Sequence, residues 1–216
     1  DSYATLALSP DGTRLLYLAR EPGYTPAGYT AIEGSYDDVA VNQLWSLDIA
    51  SGMGTRLVEV ADGGALAGAA AWSPDGHEAL FAQGRYGDAD VLESLALKAV
   101  DSAGAVRAVC SLPAQRALFG LHWCRPDLAL AVIFTDDELS ELHLMDLATG
   151  RSDFVAKGRW VSVVATGLPQ TDPDPGEPGA ATSSVVDGWS GVVVRLDSQA
   201  QFDDYFLRAD GEKFGI

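Results

Sequence analysis

Along this chain, short apolar runs alternate with clusters of Pro, Asp, Ser and Gly, and helical spacing of apolar positions is almost absent. Leu6-Ala7-Leu8 ends in Ser9-Pro10-Asp11-Gly12, and Leu15-Leu16-Tyr17-Leu18 follows. Pro fixes φ at one turn position, Asp can bond its own backbone, and Gly accepts positive φ. Two apolar runs flanking such a tetrad predict a β-hairpin. Further on, Gln43-Leu44-Trp45-Ser46-Leu47-Asp48 turns through Ala50-Ser51-Gly52 into Arg56-Leu57-Val58. The first stretch therefore predicts four strands in antiparallel succession.

The same order returns. Ala71-Trp72 leads into Ser73-Pro74-Asp75-Gly76 and then Ala79-Leu80-Phe81-Ala82. Leu95 to Asp101, a Ser102-Ala103-Gly104 turn and Val106 to Val109 complete that round. A third round runs through Gly120 to Trp123, a turn at Arg125-Pro126-Asp127, Ala131 to Phe134, and Leu142 to Gly150. A degraded fourth begins at Trp160, with pieces at Val161 to Ala165, Val192 to Leu196 and Tyr205 to Gly211. Self-similarity at a spacing of roughly 45–60 residues, four strands per unit, is the signature of a β-propeller blade. The expected architecture is all-β: one domain over 1–216, with approximate blades at 3–60, 67–112, 117–157 and 159–216, forming a partial or small ring. Two insertions disturb the period. Residues 21–41 carry Tyr24, Tyr29 and Tyr36, and are the expected partner-binding loop. Residues 167–184 contain Pro169, Pro173, Pro175 and Pro178, which cannot donate to a ladder. Trp72, Trp123 and Phe119 are expected to pack between blades.

These residues resemble the PD40 (WD40-like) repeat of TolB-like propellers. Trp72-Ser73-Pro74-Asp75-Gly76 matches that pattern in full, and Ser9-Pro10-Asp11-Gly12 matches it except for Leu8 in place of the aromatic. The third round keeps Trp123, Pro126 and Asp127; the fourth keeps only Asp187-Gly188 and Asp210-Gly211. Such repeats also form the N-terminal propeller of prolyl oligopeptidase-like (S9) serine peptidases, and the opening round with its Tyr-rich insertion is similar to the start of those domains. The resemblance implies a binding propeller or the substrate-gating part of a peptidase whose catalytic domain lies elsewhere.

Composition adds exclusions. Hydrophobic residues make up 47% and charged residues 21%, ordinary for a globular protein. The net charge of −17 opposes phosphate backbones and anionic lipid surfaces, so neither nucleic acid nor membrane is an expected partner. No apolar window approaches the roughly 20 residues needed to span a bilayer. The chain opens at Asp1 with no basic-then-apolar leader, as expected of a processed or excised product, and the compartment stays open. Cys110 and Cys124 form neither a disulfide framework nor a zinc pattern; two structural thiols are expected, with a single bridge as the alternative.

Chemistry-bearing groups are sparse. Gly188-Trp189-Ser190-Gly191 approaches a nucleophile elbow, but Val192 stands where Gly is required, and strand follows instead of helix. No catalytic residue is expected. His77, His122 and His143 fall in different rounds without metal-ligand spacing, and are expected to be ordinary turn and strand histidines. Acids cluster at Asp88, Asp90 and Glu93, at Asp136, Asp137 and Glu138, and at Asp172, Asp174 and Glu177. The first set is a weak Ca²⁺ candidate, lacking the spaced loop and final bidentate Glu of a dedicated site. No other cofactor is expected. The function expected is non-catalytic binding of a protein or peptide.

Overall fold

A computed structural model describes residues 6–25, 41–61, 64–86, 92–112, 117–134, 139–158, 160–166, 191–197, 202–208 and 213–215. Every regular element among them is a strand. The first sheet contains β1 (Leu6–Leu8), β2 (Arg14–Ala19), β3 (Gln43–Asp48) and β4 (Gly54–Glu59). The second contains β5 (Gly64–Trp72), β6 (Glu78–Tyr86), β7 (Leu92–Asp101) and β8 (Val106–Leu112). The third contains β9 (Ala117–Arg125), β10 (Leu128–Phe134), β11 (Ser140–Asp146) and β12 (Arg151–Gly158). The fourth contains β13 (Trp160–Thr166), β14 (Gly191–Asp197), β15 (Phe202–Arg208) and β16 (Lys213–Gly215). Each sheet is an antiparallel meander in chain order, the blade of a propeller. The fourth round, degraded as a repeat, still closes a full four-stranded ladder.

The sheets stack because their strands are apolar on both faces. Leu16, Leu18, Leu44 and Val58 of the first sheet bury against Ala70, Trp72, Phe81 and Val100 of the second. On the other face of the second sheet, Leu80, Ala82, Leu97 and Ala99 meet Leu121, Trp123, Ile133 and Met145 of the third. Leu130, Val132 and Leu142 cover the remaining face of the third. Period-two alternation divides the strands between the cores: Leu80 and Phe81 are neighbours in sequence but belong to different inter-sheet cores.

First strands neighbour first strands through the stack, β1 beside β5, β5 beside β9 and β9 beside β13, and so form the inner edge. Small residues permit this convergence. β5 reads Gly-Ala-Leu-Ala-Gly-Ala-Ala-Ala-Trp, and a Cβ on Gly68 would stand 3.1 Å from the Leu118 carbonyl oxygen on β9. Trp72 and Trp123 pack between sheets as expected, each 8% exposed. The Phe119 side chain lies outside the described residues.

Candidate functional site

The turns show why the repeat keeps its residues. At the first hairpin the Ser9 hydroxyl donates to Asp11 Oδ1 at 2.6 Å, the Arg14 N–H donates to Ser9 Oγ at 2.8 Å, and the Thr13 N–H donates to Asp11 Oδ1 at 3.1 Å. In the second hairpin the Ser73 hydroxyl donates to Asp75 Oδ1 at 2.6 Å, the Glu78 N–H to Ser73 Oγ at 2.9 Å and the His77 N–H to Asp75 Oδ1 at 3.0 Å. Gly12 and Gly76 both have φ of 72°. The third hairpin lacks the Ser and closes in two residues, with Arg125 paired to Leu128. Where β3, β7 and β11 end, Asp48, Asp101 and Asp146 bond the N–H groups of their own turns. The Ser9 hydroxyl, with the Thr13 groups, brings the Asp11 carboxyl down to about 2. Asp48, Asp75 and Asp146 are held low by Ser51, Ser73 and Thr149 in the same way. These carboxylates are committed to their own turns.

Antiparallel order then divides the stack into two ends. The tight turns after the first and third strands of the first three sheets lie at one end. The connections after β2, β6 and β10 leave from the other, together with the sheet-to-sheet links. The Tyr-rich insertion and the acidic stretches 87–91 and 135–138 belong to those connections. The Pro-rich stretch with Asp172, Asp174 and Glu177 joins β13 to β14, and so leaves from the tight-turn end.

The Tyr-rich insertion is fastened at its base. The Glu21 N–H donates to Asn42 Oδ1 at 2.9 Å, joining the two feet of the loop. Asn42 is fully buried; its N–H donates to the Ala19 carbonyl and its carbonyl accepts the Val60 N–H. Its Nδ2 is buried without a hydrogen-bond partner. Both feet reach the second sheet: the Tyr24 hydroxyl donates to the Gly64 carbonyl, and the Leu66 N–H donates to Val41 at 2.8 Å. The Arg20 Nε donates to the Tyr24 carbonyl at 2.9 Å. Tyr24, half-buried, is thus a tie across two sheets. Tyr29, Tyr36, Asp88 and Asp90 lie outside the described residues, and Glu93 is described only as a member of β7.

Two groupings escaped sequence reasoning. The first is a cleft of about 140 Å³ between the first and second sheets at the tight-turn end, lined by Arg14, Asp48, Met53, Trp72, His77 and Asp101 among others. The Arg14 guanidinium lies 4.5 Å from the centre of the Trp72 ring, and its Nη2 donates to the Gly76 carbonyl at 2.6 Å. The Trp72 Nε1 donates to the Ala7 carbonyl at 3.0 Å. Ligand pockets usually enclose about 300–1,000 Å³, so this smaller space is a sheet-to-sheet joint. Only the position of Arg14 directly after the turn hinted at it.

The second grouping contains Ser152, His143 and Glu141. His143 Nδ1 is 3.3 Å from Ser152 Oγ, and its Nε2 is 3.1 Å from Glu141 Oε2. Burial works to raise the Glu141 carboxyl, but hydrogen bonds from His143 and Lys157 outweigh it and hold it low. The composition is that of a hydrolytic triad, but Ser152 sits within the β11–β12 ladder and not on a strand-to-helix elbow. The order is also reversed, with the carboxylate on Nε2 and the serine on Nδ1. It is a satisfied polar cluster. Its signal, Glu and His at i and i+2 on one strand face, is visible only once the register is known.

His77 is exposed after its turn, as expected, and His122 is half-buried, with desolvation lowering its pKa. Both cysteines are free, and burial pushes Cys110 up to about 11 and Cys124 to about 12. No group of His, Cys, Asp and Glu able to hold a metal ion occurs among the described residues.

No protein-family model matches this chain, and no curated protein matches it. Solved structures do match in fold. An oligogalacturonate lyase in complex with manganese is matched over 97% of this chain and 51% of its own, at 12% identity and a TM-score of 0.58. A puromycin hydrolase is matched over 98% of this chain and 28% of its own, at 18% identity and 0.54. The β-propeller domain of the Trilobed protease from Pyrococcus furiosus is matched over 99% and 57%, at 13% identity and 0.51. The fold is that of β-propeller blades. The chain spans about half the length of the lyase it matches.

Proposed function

We propose that this chain is a non-catalytic propeller module that binds a protein or peptide segment at the end opposite its tight turns. The observation that carries the reading is the fastened base of the Tyr-rich insertion. The two feet of that insertion are held by Asn42, Gly64 and Leu66 at the junction of two sheets. Pre-organisation of that kind reduces the ordering cost of binding. The tight-turn end offers less, since its turn carboxylates already hold their own N–H groups. A net charge of −17 favours basic or neutral segments. Ca²⁺ at Asp88, Asp90 and Glu93 remains a lesser proposal, testable by calorimetry with CaCl₂.

The test starts from peptides selected on the whole chain from a random displayed library. Calorimetry then compares their affinity for the wild type, for a chain with residues 26–40 replaced by a short Gly-Ser linker, and for Asp11→Ala at the other end. Loss confined to the loop replacement is expected. Unchanged affinity there, or no selectable peptide, overturns the reading.

The fold likeness to puromycin hydrolase supports a second reading, the substrate-gating propeller of a prolyl oligopeptidase-like serine peptidase. Under it, the gene would encode a Gly-x-Ser-x-Gly elbow in an adjoining domain, and a gene without one would exclude it.

A further inference from the structure

Where the first two sheets meet at the end opposite the tight turns, positive charge goes unanswered. Elsewhere Arg56, Arg107, Arg125, Arg151 and Lys157 each pair with a carboxylate. Arg14, at the tight-turn end, lies in the field of Asp11 and Asp48. By contrast, Arg20 bonds a carbonyl, Lys98 bonds an amide oxygen, and Arg85 has no carboxylate partner among the described residues. Strand alternation and register bring these three together. On β6, Phe81 faces the first sheet, so Gln83 and Arg85 do too; on β7, Lys98 aligns with Phe81 and faces the same way. The Lys98 ammonium donates to Gln83 Oε1 at 2.8 Å, one step along that face from Arg85. Gly64 aligns with Arg85, and its carbonyl accepts the Tyr24 hydroxyl. The Arg20 Nε donates to the Tyr24 carbonyl, which ties its guanidinium to the same corner. Gly64 has no side chain to crowd this corner; a Cβ there would stand 3.3 Å from Gln83 Nε2. Arg20 and Arg85 are exposed and Lys98 is half-buried. At the same foot, Asn42 Nδ2 is buried with no acceptor, a further uncompensated positive dipole end. Of the acids close by, Glu59 is spent on Gln43 and Arg56, and Glu21 follows Arg20 without an ion pair among the described residues.

In a chain of net charge −17, carboxylates outnumber cations, and a cation left without one is the exception. Arg20, Arg85 and Lys98 together make a local positive potential within an acidic field. We infer that this corner receives a single carboxylate of the bound peptide segment, from an Asp or Glu side chain or from a free C-terminus. The inference rests on the peptide-binding reading above and adds a specificity to it. Arg85 offers a planar fork that matches a carboxylate with two parallel hydrogen bonds, and Lys98 offers a point charge beside it. The net negative charge of the chain repels any further acid in the segment. One carboxylate in an otherwise neutral or basic segment is therefore preferred to a run of them.

Synthetic copies of a library-selected peptide test this by calorimetry on the whole chain. Each Asp or Glu is changed to Asn or Gln in turn, and the C-terminus is left free or amidated. Neutralising one particular carboxylate should weaken binding about tenfold, and high NaCl should shrink the difference. The position that responds distinguishes a side chain from a C-terminus. The double variant Arg85→Gln, Lys98→Gln should weaken the charged peptide by a similar factor and leave the neutralised peptide unaffected. Arg56→Gln, on the opposite face of the first sheet, should change neither, and Glu21→Gln should tighten the charged peptide. If the double variant loses its far-UV circular dichroism spectrum, Arg85→Gln alone, at an exposed side chain, carries the same test. Affinity indifferent to every carboxylate change, or a loss in the variant that is equal for charged and neutralised peptides, overturns the inference and leaves the peptide-binding reading standing. A carboxylate preference that survives replacement of residues 26–40 at unchanged affinity overturns that reading and upholds the corner.

Discussion

The joint between the first two sheets makes a prediction that can be worked through in numbers. Trp72 is 8% exposed, lies under Arg14 at 4.5 Å, and donates to the Ala7 carbonyl. Trp72→Ala removes a large buried ring and should cost about 3–5 kcal/mol. With a urea m-value of about 2 kcal/mol/M for a chain of this size, the midpoint falls by about 2 M. Trp72→Phe keeps most of the apolar area and loses the hydrogen bond, at about 1 kcal/mol. Trp123 occupies the equivalent place in the third sheet, but its Nε1 is buried without a partner, so Trp123→Phe should be neutral or stabilising. The ion–ring contact is isolated by a double-mutant cycle of Arg14→Ala with Trp72→Phe and Trp72→Leu. Coupling should appear only in the cycle that removes the ring, at about 0.5–2 kcal/mol. Urea unfolding followed by far-UV circular dichroism avoids relying on the mutated tryptophans. Coupling below about 0.3 kcal/mol in the Leu cycle, within the scatter of independent sites, would refute the ion–ring assignment. Equal costs for the two Trp→Phe changes would refute the hydrogen-bond assignment.

Two further predictions concern the turns. Gly12 and Gly150 both have φ of 72°, so Ala at either is strained by about 1 kcal/mol. A Cβ at Gly12 meets nothing within 4 Å, whereas at Gly150 it would lie 2.8 Å from the Val109 carbonyl oxygen on β8. Gly150→Ala should therefore cost a further ~1–3 kcal/mol, and matched urea midpoints would contradict the close approach of the two sheets. The turn carboxylates set an acid limit. A group whose folded pKa lies below its unfolded value contributes stability above the unfolded value, near pH 4, and loses it as pH falls through the folded value, about 2 for Asp11. The stability gap between wild type and Asp11→Asn should be full at pH 7 and close toward pH 2. A gap that stays constant over that range would show that the Asp11 charge contributes nothing.

Local chemistry was legible in the sequence; contact between distant segments was not. Ser9, Asp11 and Gly12 announced their hairpin because every bond they make lies within five residues. Leu15 to Leu18 and Gln43 to Asp48 announced strands by composition and bounding turns. β16 went unseen because Lys213-Phe214-Gly215 is too short to show alternation. The length of β5 was understated because its runs of Ala and Gly look unlike a strand, and they are used there only because β9 comes so close. Arg14 over Trp72 spans 58 positions, and its pairing follows from the stacking of sheets, which no local pattern encodes. Tyr24 was singled out as an aromatic in a loop, and its tie to Gly64 required the same knowledge.

A chain of near-identical meanders faces a hazard of its own making. Any second strand could pair with the first strand of a different repeat, and a one-residue slip would turn every apolar side chain to the wrong core. The first two hairpins share their turn chemistry and do nothing to tell each other apart. The third differs, closing in two residues at Pro126 and Asp127, with ladder shifts at Leu128/Ala129 and Val132/Ile133, whereas the β5–β6 ladder shifts between Ala67 and Ala70. These irregularities act as keys. They make a strand exchanged between the second and third sheets meet a ladder out of step, and so the imperfection of the repeat helps each sheet find its own strands.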